Sequence, residues 1–370
     1  MHLQFRSNLG SCPAMPLGGG PEVDSCAFLA LAWPKLERGP VAKPVCYAVD
    51  PTMQMKQSKR IFSRSLLAAS ASLGMLVSAG CDMGQFTVGA TAKVLRRAQP
   101  SLKMEADYEM AARAIPGALK TVEGFWVVDP TNPNLIATLT EGYCQYGTAF
   151  VEDEWERAKF AKDLEATAYH NERATKMFTR CLNYALKSLG TRWQNEIFAE
   201  PEKVAKLIAA TGSDQRTPMM YAALALGSII THNLDNIEII ANLTTVRLMV
   251  ARILELDAKR LPADLSLAAL PHVIMGMLLS AGSAQFGGDP VKAGEHFQKA
   301  IDITGGKYLL PYTLWGYRVG RMTHNQALYH EKLVKVLETA PSIWPEQRLA
   351  NEVAHRRARR YLAQEKELFR

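Results

Sequence analysis

The sequence predicts an all-α fold of stacked helical hairpins. Apolar residues recur at helical spacing in one stretch after another beyond residue 101. No sustained alternating pattern occurs. The short run Phe125–Val128 is the one strand candidate, and Asp129-Pro130 cuts it off. Small, aromatic and small residues also stand at fixed helical intervals in Ala293, Phe297 and Ala300, and Ala174 and Phe178 repeat the spacing.

Residues 1–52 are rich in Gly and Pro (Gly18-Gly19-Gly20-Pro21, Gly39-Pro40, Lys43-Pro44) and show no helical period. From Met53 the layout changes. Lys56, Lys59, Arg60 and Arg64 form a basic start, Leu66 to Ala79 an apolar run, and Gly80-Cys81 closes it. That order is the layout of an export signal, and a terminal cysteine marks a lipoprotein signal whose thiol takes a lipid. The run is short for a spanning helix, which needs about 20 apolar residues. Residues 53–80 therefore read as a lipoprotein signal peptide, Cys81 as the lipidation site, and 81–101 as anchor and linker. An export signal belongs at a chain start, so 1–52 is either a start-site error, with translation beginning at Met53 or Met55, or a disordered extension.

The formal net charge of +7 includes the four positives of the signal. What remains is too weak a bias to argue for nucleic acid, and export rules against it. Beyond Cys81 only Cys144 and Cys181 remain of six cysteines. Two buried free thiols are the expected state, with a disulfide in an oxidising periplasm as the alternative.

The helical domain spans 102–370. Asn132-Pro133 offers an N-cap followed by proline at the first helical position, and Leu135, Leu139, Tyr143, Tyr146 and Phe150 share one face. Ala174, Phe178, Cys181, Leu182 and Ala185 mark the next helix, which Gly190 stops. Pro201 starts a short helix ended by Gly212. Tyr221, Leu224, Ala225 and Ile229 mark another, and Val246, Met249, Val250, Ile253 and Leu254 the one after it. In Gly287-Gly288-Asp289-Pro290, glycines make a turn and Asp-Pro starts a helix; Ala293, Phe297 and Ala300 then take the small–aromatic–small places of a tetratricopeptide repeat. Alanines let two helices approach, and the ring fills the gap beside them. Such arrays are scaffolds for many partners and give no function by themselves.

The run Gly287 to Ala300 (GGDPVKAGEHFQKA) resembles the signature region of the TatT family, the T component associated with tripartite ATP-independent periplasmic (TRAP) transporters. Further pieces agree in order: Asn132-Pro133, Glu141-Gly142-Tyr143, Phe150-Val151-Glu152, Arg173-Ala174, Tyr184-Ala185-Leu186, Leu254-Glu255-Leu256-Asp257, Arg348-Leu349-Ala350-Asn351 and Arg356-Arg357-Ala358. The resemblance covers Leu102 to Phe369. It implies tetratricopeptide-like hairpins in a superhelical array, a lipid anchor in the bilayer through acylated Cys81, a homotrimer, and association with the TRAP substrate-binding protein (P subunit). It also implies a hydrophobic small-molecule ligand in a pore or cleft. Asp82 after the lipidated cysteine favours the periplasmic face of the inner membrane.

Catalytic patterns are missing. His330-Glu331 lacks the second histidine of a zinc-protease helix. Gly305-Gly306-Lys307 is no phosphate loop, because Ile301 and Tyr308 stand where glycine and a hydroxyl residue belong. No metal spacing or glycine-flanked serine occurs. The expectation is no enzyme, no cofactor and no metal. Met220, Tyr221, Met275, Met277 and Phe286 are the candidate apolar cleft, since flexible methionines suit a promiscuous site; ordinary core is the alternative. The charged run Glu152–Glu165 reads as a solvated helix or a docking surface. Arg356, Arg357, Arg359 and Arg360 read as the wet face of a helix whose apolar stripe includes Val353, Ala358 and Tyr361, with binding of anionic lipid as the alternative. The function expected is an accessory subunit of TRAP-type uptake. A generic envelope scaffold lipoprotein is the alternative, and an envelope enzyme the alternative from another class.

Overall fold

The computed structural model describes residues 83–370 except 284 and 286. The leader readings for 1–52 and 53–80, and those for Cys81, Asp82 and Phe286, lie outside the described residues. No strand occurs among the described residues, and the chain runs helix to helix. Phe125–Val128, the strand candidate, is the last turn of a helix: the local apolar run continues the face that begins earlier, and Asp129 donates its N–H to the Phe125 carbonyl at 3.0 Å.

Helix α1 (Met83–Lys103) covers most of the segment read as anchor and linker and lays Val88 and Ala92 against the core. Helix α2 (Tyr108–Val128) follows, capped by Asp107. Helix α3 (Pro133–Tyr146) begins as the sequence requires: the Asn132 side chain accepts from the N–H groups of Asn134 and Leu135, and Pro133 needs no partner. A π turn at Gly147–Val151 joins α3 to α4 (Glu152–Phe160). Helix α5 (Leu164–Leu189) is capped by Asp163 and ends at Gly190, whose φ of 100° suits glycine. Short helices α6 (Thr191–Glu196) and α7 (Pro201–Ala209) lead to α8 (Arg216–Thr231). The turn α9 (Ile237–Ile240) precedes α10 (Leu243–Lys259), and α11 (Leu265–Leu279) pairs with α12 (Pro290–Ile303). Helix α13 (Leu310–Leu314) passes through a second π turn, Trp315–Val319, into α14 (Gly320–Met322). Helices α15 (Gln326–Glu338), α16 (Arg348–Ala363) and α17 (Glu365–Leu368) close the chain.

Consecutive long helices pack as neighbours: α3 with α5, α5 with α8, α8 with α10, α11 with α12. The α11–α12 hairpin has the packing its spacing predicts. Asp289 caps α12 by accepting from the Lys292 N–H, and Ala293, Phe297 and Ala300 are wholly buried. Phe297 lies over Gly276 of α11, where a Cβ would stand 2.8 Å from the ring. The earlier pair repeats the device. Ala174 and Phe178 on α5 are wholly buried, and a Cβ on Gly147 would meet the Phe178 ring at 3.0 Å.

Cys144 on α3 and Cys181 on α5 form a disulfide, with their Cα atoms 5.3 Å apart. This corrects the expectation of two free thiols. Helical period placed Cys181 on an inward face but could not show that Cys144 meets it at the same level.

Helix α16 returns to the beginning of the domain and packs on α1 and α2. Here the wet-face expectation fails. Arg357 is buried, and Arg356 and Arg360 are largely covered. Arg356 Nε donates to Asp153 Oδ2 and Arg360 Nη1 to Asp153 Oδ1, both at 2.7 Å, while Arg360 also pairs with Glu156. The Tyr361 hydroxyl donates to Glu156 Oε1 at 2.8 Å. Arg356 further lies 4.4 Å above the Tyr108 ring. Only Arg359 of the four faces solvent. The acids of α4, read as a solvated run, are the counter-charges: Asp153 is entirely buried. Burial pushes its carboxyl up, but Arg360 and Arg356 outweigh that and hold it below the ordinary carboxylate range.

Candidate apolar cavity

Where α3, α8, α11, α13 and α16 converge they leave a cavity of two joined lobes. The first, about 160 Å³, is walled by Leu224, Leu270, Ile274, Leu310, Leu349 and Val353 among others. The second, about 330 Å³, is walled by Ile230, Leu243, Leu278, Trp155 and Tyr317. Both lobes share Leu224, Ile274, Met277 and Leu314, and at the same junction Glu152, Ser228 and Arg357. Aliphatic walls with few polar groups are what a site for an apolar small molecule requires. A further recess of about 200 Å³ under α1 and α2 adjoins the first lobe through Lys103, Gln145, Ala149 and Leu349.

The two π turns both border this cavity. The first supplies Thr148 and Ala149, the second Tyr317 and Arg318. A π turn widens the helix by one residue, and such bulges recur at functional sites.

Polar groups sit at the outer end of the first lobe and at the junction. At the outer end Lys103 Nζ and Arg96 Nη1 each lie 2.8 Å from Glu141. Burial raises the Glu141 carboxyl, but Lys103 and Arg96 reverse the effect and keep it charged. Tyr308, buried, has its phenol pushed up to about 12 by burial, and burial drives Tyr221 well above its ordinary value. Both remain neutral donors at any physiological pH. At the junction Arg357 Nη2 donates to the Thr148 carbonyl at 2.6 Å and lies 3.4 Å from Glu152 Oε2. His232 Nε2 is 3.4 Å from Glu152 Oε1.

The structure divides the sequence candidates. Tyr221 and Met277 line the cavity, Met277 both lobes. Met220 is wholly buried beside Arg216, whose Nη1 is 3.4 Å from its sulfur, and Met275 packs against the main core; neither lines the lobes. The signature residues Ala293, Phe297 and Ala300 pack the hairpin, and Gly287 and Gly288 adjoin the mouth of the second lobe through Arg247 and Gly282. Sequence reasoning missed Arg357, Arg318, Thr148, Leu224 and Ile274. The one available signal was the match between the acids at 152–156 and the arginines at 356–360, which only a fold that joins them makes meaningful.

No group of three or more metal-ligating side chains occurs among the described residues, and no helix among them is long and apolar enough to cross a membrane. The arrangement supports non-covalent holding of an apolar molecule. No curated protein matches the chain. A family model described as the TRAP transporter T-component (TAtT) matches residues 104–369, nearly the span on which the resemblance rested. An all-α domain covering almost all the described residues thus coincides with that match, and the chain belongs to the TRAP transporter T-component family.

Proposed function

We propose that this T-component is anchored by acylated Cys81 to the periplasmic face of a bacterial membrane, docks the substrate-binding P subunit, and holds an apolar ligand. The observation that carries the ligand reading is the two-lobed cavity, whose shared wall is Leu224, Ile274, Met277 and Leu314. The Cys144–Cys181 disulfide supports an oxidising compartment. The basic–apolar–cysteine layout of 53–81 supports the anchor. The ligand is held by burial of apolar surface, at about 25 cal/mol per Å², and no bond to protein is made.

Purification of the acylated protein from its native envelope, with mass spectrometry of extracted small molecules and co-purifying proteins, tests the reading. The expected result is an apolar compound and a periplasmic substrate-binding protein. Met277→Trp, which puts a bulky ring into the wall shared by both lobes, should remove the compound and leave membrane attachment intact. Cys81→Ala should release the protein from membranes. An extract that is the same for wild type and Met277→Trp would overturn the cavity as the ligand site.

A further inference from the structure

The cavity is apolar along its length but not at its waist. Arg357 is 96% buried, its side chain only 5% exposed, and it lines both lobes, yet its Nε makes no hydrogen bond; the nearest carboxylate oxygen, Glu156 Oε2, is 3.9 Å away. The Thr148 hydroxyl, on the wall of the first lobe, is buried without a partner among the described residues. Arg318 Nε, on the wall of the second, is likewise buried without one, and Arg318 enters no ion pair among the described residues. These groups converge from different elements. Thr148 and Arg318 come from the two π turns and Arg357 from α16. Buried polar groups are nearly always satisfied, so unmet donors on residues that wall one cavity mark a place for an acceptor. A purely apolar occupant would leave all of them unmet.

Charge points the same way. Arg357 and Glu152 border the waist, Arg318 borders the second lobe near enough to act on the Glu152 carboxylate, and Glu156 is already taken by Arg360 and Tyr361. The waist therefore carries a surplus of positive charge in a poorly solvated place. It suits one negative charge and, with Glu152 beside it, resists two.

We infer that the occupant is a single-chain amphiphile with a monoanionic carboxylate head, the head seated on Arg357, Arg318 and Thr148 at the waist and the tail lying along the Leu224, Ile274 and Met277 wall. This rests on the reading that the cavity holds an apolar ligand, and narrows it. The guanidinium fork matches a carboxylate, and the aliphatic walls on both sides accept the chain.

The test uses the full chain carrying Cys81→Ala, stripped of lipid, titrated calorimetrically with dodecanoate, dodecanol and dodecyl phosphate below their aggregation limits. Dodecanoate should bind roughly tenfold more tightly than dodecanol, the discrimination a charged hydrogen bond provides. Arg318→Gln should abolish that preference and leave dodecanol binding unchanged. Arg318 enters no ion pair within 4 Å among the described residues, and thermal melting of the variant checks that its fold is kept. Met277→Trp should weaken all three ligands. Equal binding of acid and alcohol overturns the carboxylate head and leaves the apolar cavity standing. Dodecyl phosphate binding as well as dodecanoate overturns the monoanion. A preference that survives Arg318→Gln overturns the placement of the head. No binding of any probe overturns both this inference and the cavity reading beneath it.

Discussion

The α11–α12 hairpin and the α4–α16 seam hold the domain together by opposite means. In the hairpin, residues within thirty positions of one another meet through alanines, a phenylalanine and a glycine, and no charge is involved. In the seam, residues about 205 positions apart meet through arginines and carboxylates, and one buried aspartate accepts from two guanidiniums. The hairpin is a packing problem with many adequate answers. The seam works as a set, because losing one member leaves its covered neighbours short of counter-charge. The element that returns the C-terminus to the N-terminal helices is thus the more fragile of the two.

Asp153→Ala breaks the comparison hardest. It leaves Arg360 with Glu156 alone and Arg356 with only its longer contacts to Glu109 and Glu154, and should cost about 3–5 kcal/mol, read from urea denaturation. Replacing Asp153, Arg356 and Arg360 together by apolar residues of similar volume should recover part of that loss, Glu156 then keeping the Tyr361 hydroxyl and the more distant Arg357. A triple variant no more stable than Asp153→Ala would mean that packing, not orphaned charge, sets the cost. Acid acts on the same group. The Asp153 carboxyl titrates lower folded than unfolded, so its contribution is complete above the ordinary aspartate range and is lost as pH falls below it.

The disulfide is a third kind of tie, covalent and across a separation of 37 residues. Cys144→Ala with Cys181→Ala should destabilise the domain by about 2–4 kcal/mol, seen as a lower urea midpoint. Reductant should shift the wild type toward the double variant and leave the variant alone. It ties α3 to α5, the pair that shares the Phe178-over-Gly147 device, so its removal asks whether that packing stands unaided.

What could be read in advance follows the same division. Asn132-Pro133, Gly190 and Asp289-Pro290 act through their own neighbours, so the starts and stops of α3, α5 and α12 were legible in the sequence. Ala293, Phe297 and Ala300 were legible because their period is the period of a helix. The arginines of α16 were misread because helical period separates faces but does not say which face meets solvent; a charged face turned toward another charged face looks wet from sequence alone. The cavity was partly legible. Tyr221 and Met277 share chemistry with Met220 and Met275, but rotation about the helix axis turns only the first two to the lobes. Thr148 and Arg318 were beyond reach, since a π turn has no sequence period of its own.

On the hairpin side, Ala293→Leu should overpack the contact with α11 and cost about 1–3 kcal/mol, measured as a fall in melting temperature. Because the loss spreads over neighbouring side chains, it should be smaller than that of Asp153→Ala. An unchanged melting temperature would remove the small–aromatic–small register from the account of the fold.

The smallest effect sharpens the claim that the hairpin is free of charge. His272 on α11 and His296 on α12 meet across it, Nδ1 to Nδ1 at 2.9 Å, and a hydrogen bond there requires at least one neutral ring. Burial, then His296 and Lys299, push the His272 imidazole down to about 4; burial and Lys299 lower His296, with Glu295 opposing. A histidine that titrates lower folded than unfolded binds its proton more readily in the unfolded chain. Stability is therefore complete above the ordinary histidine value and declines as pH falls from about 6.5 toward 4. The rings are only partly covered, so solvent weakens the effect. Melting temperature followed from pH 7 to pH 5 should fall more in the wild type than in His272→Asn, which leaves no pair to protonate. Parallel curves would show that the hairpin tolerates a charged histidine, and that its resistance to charge ends at the Ala293–Phe297–Ala300 face.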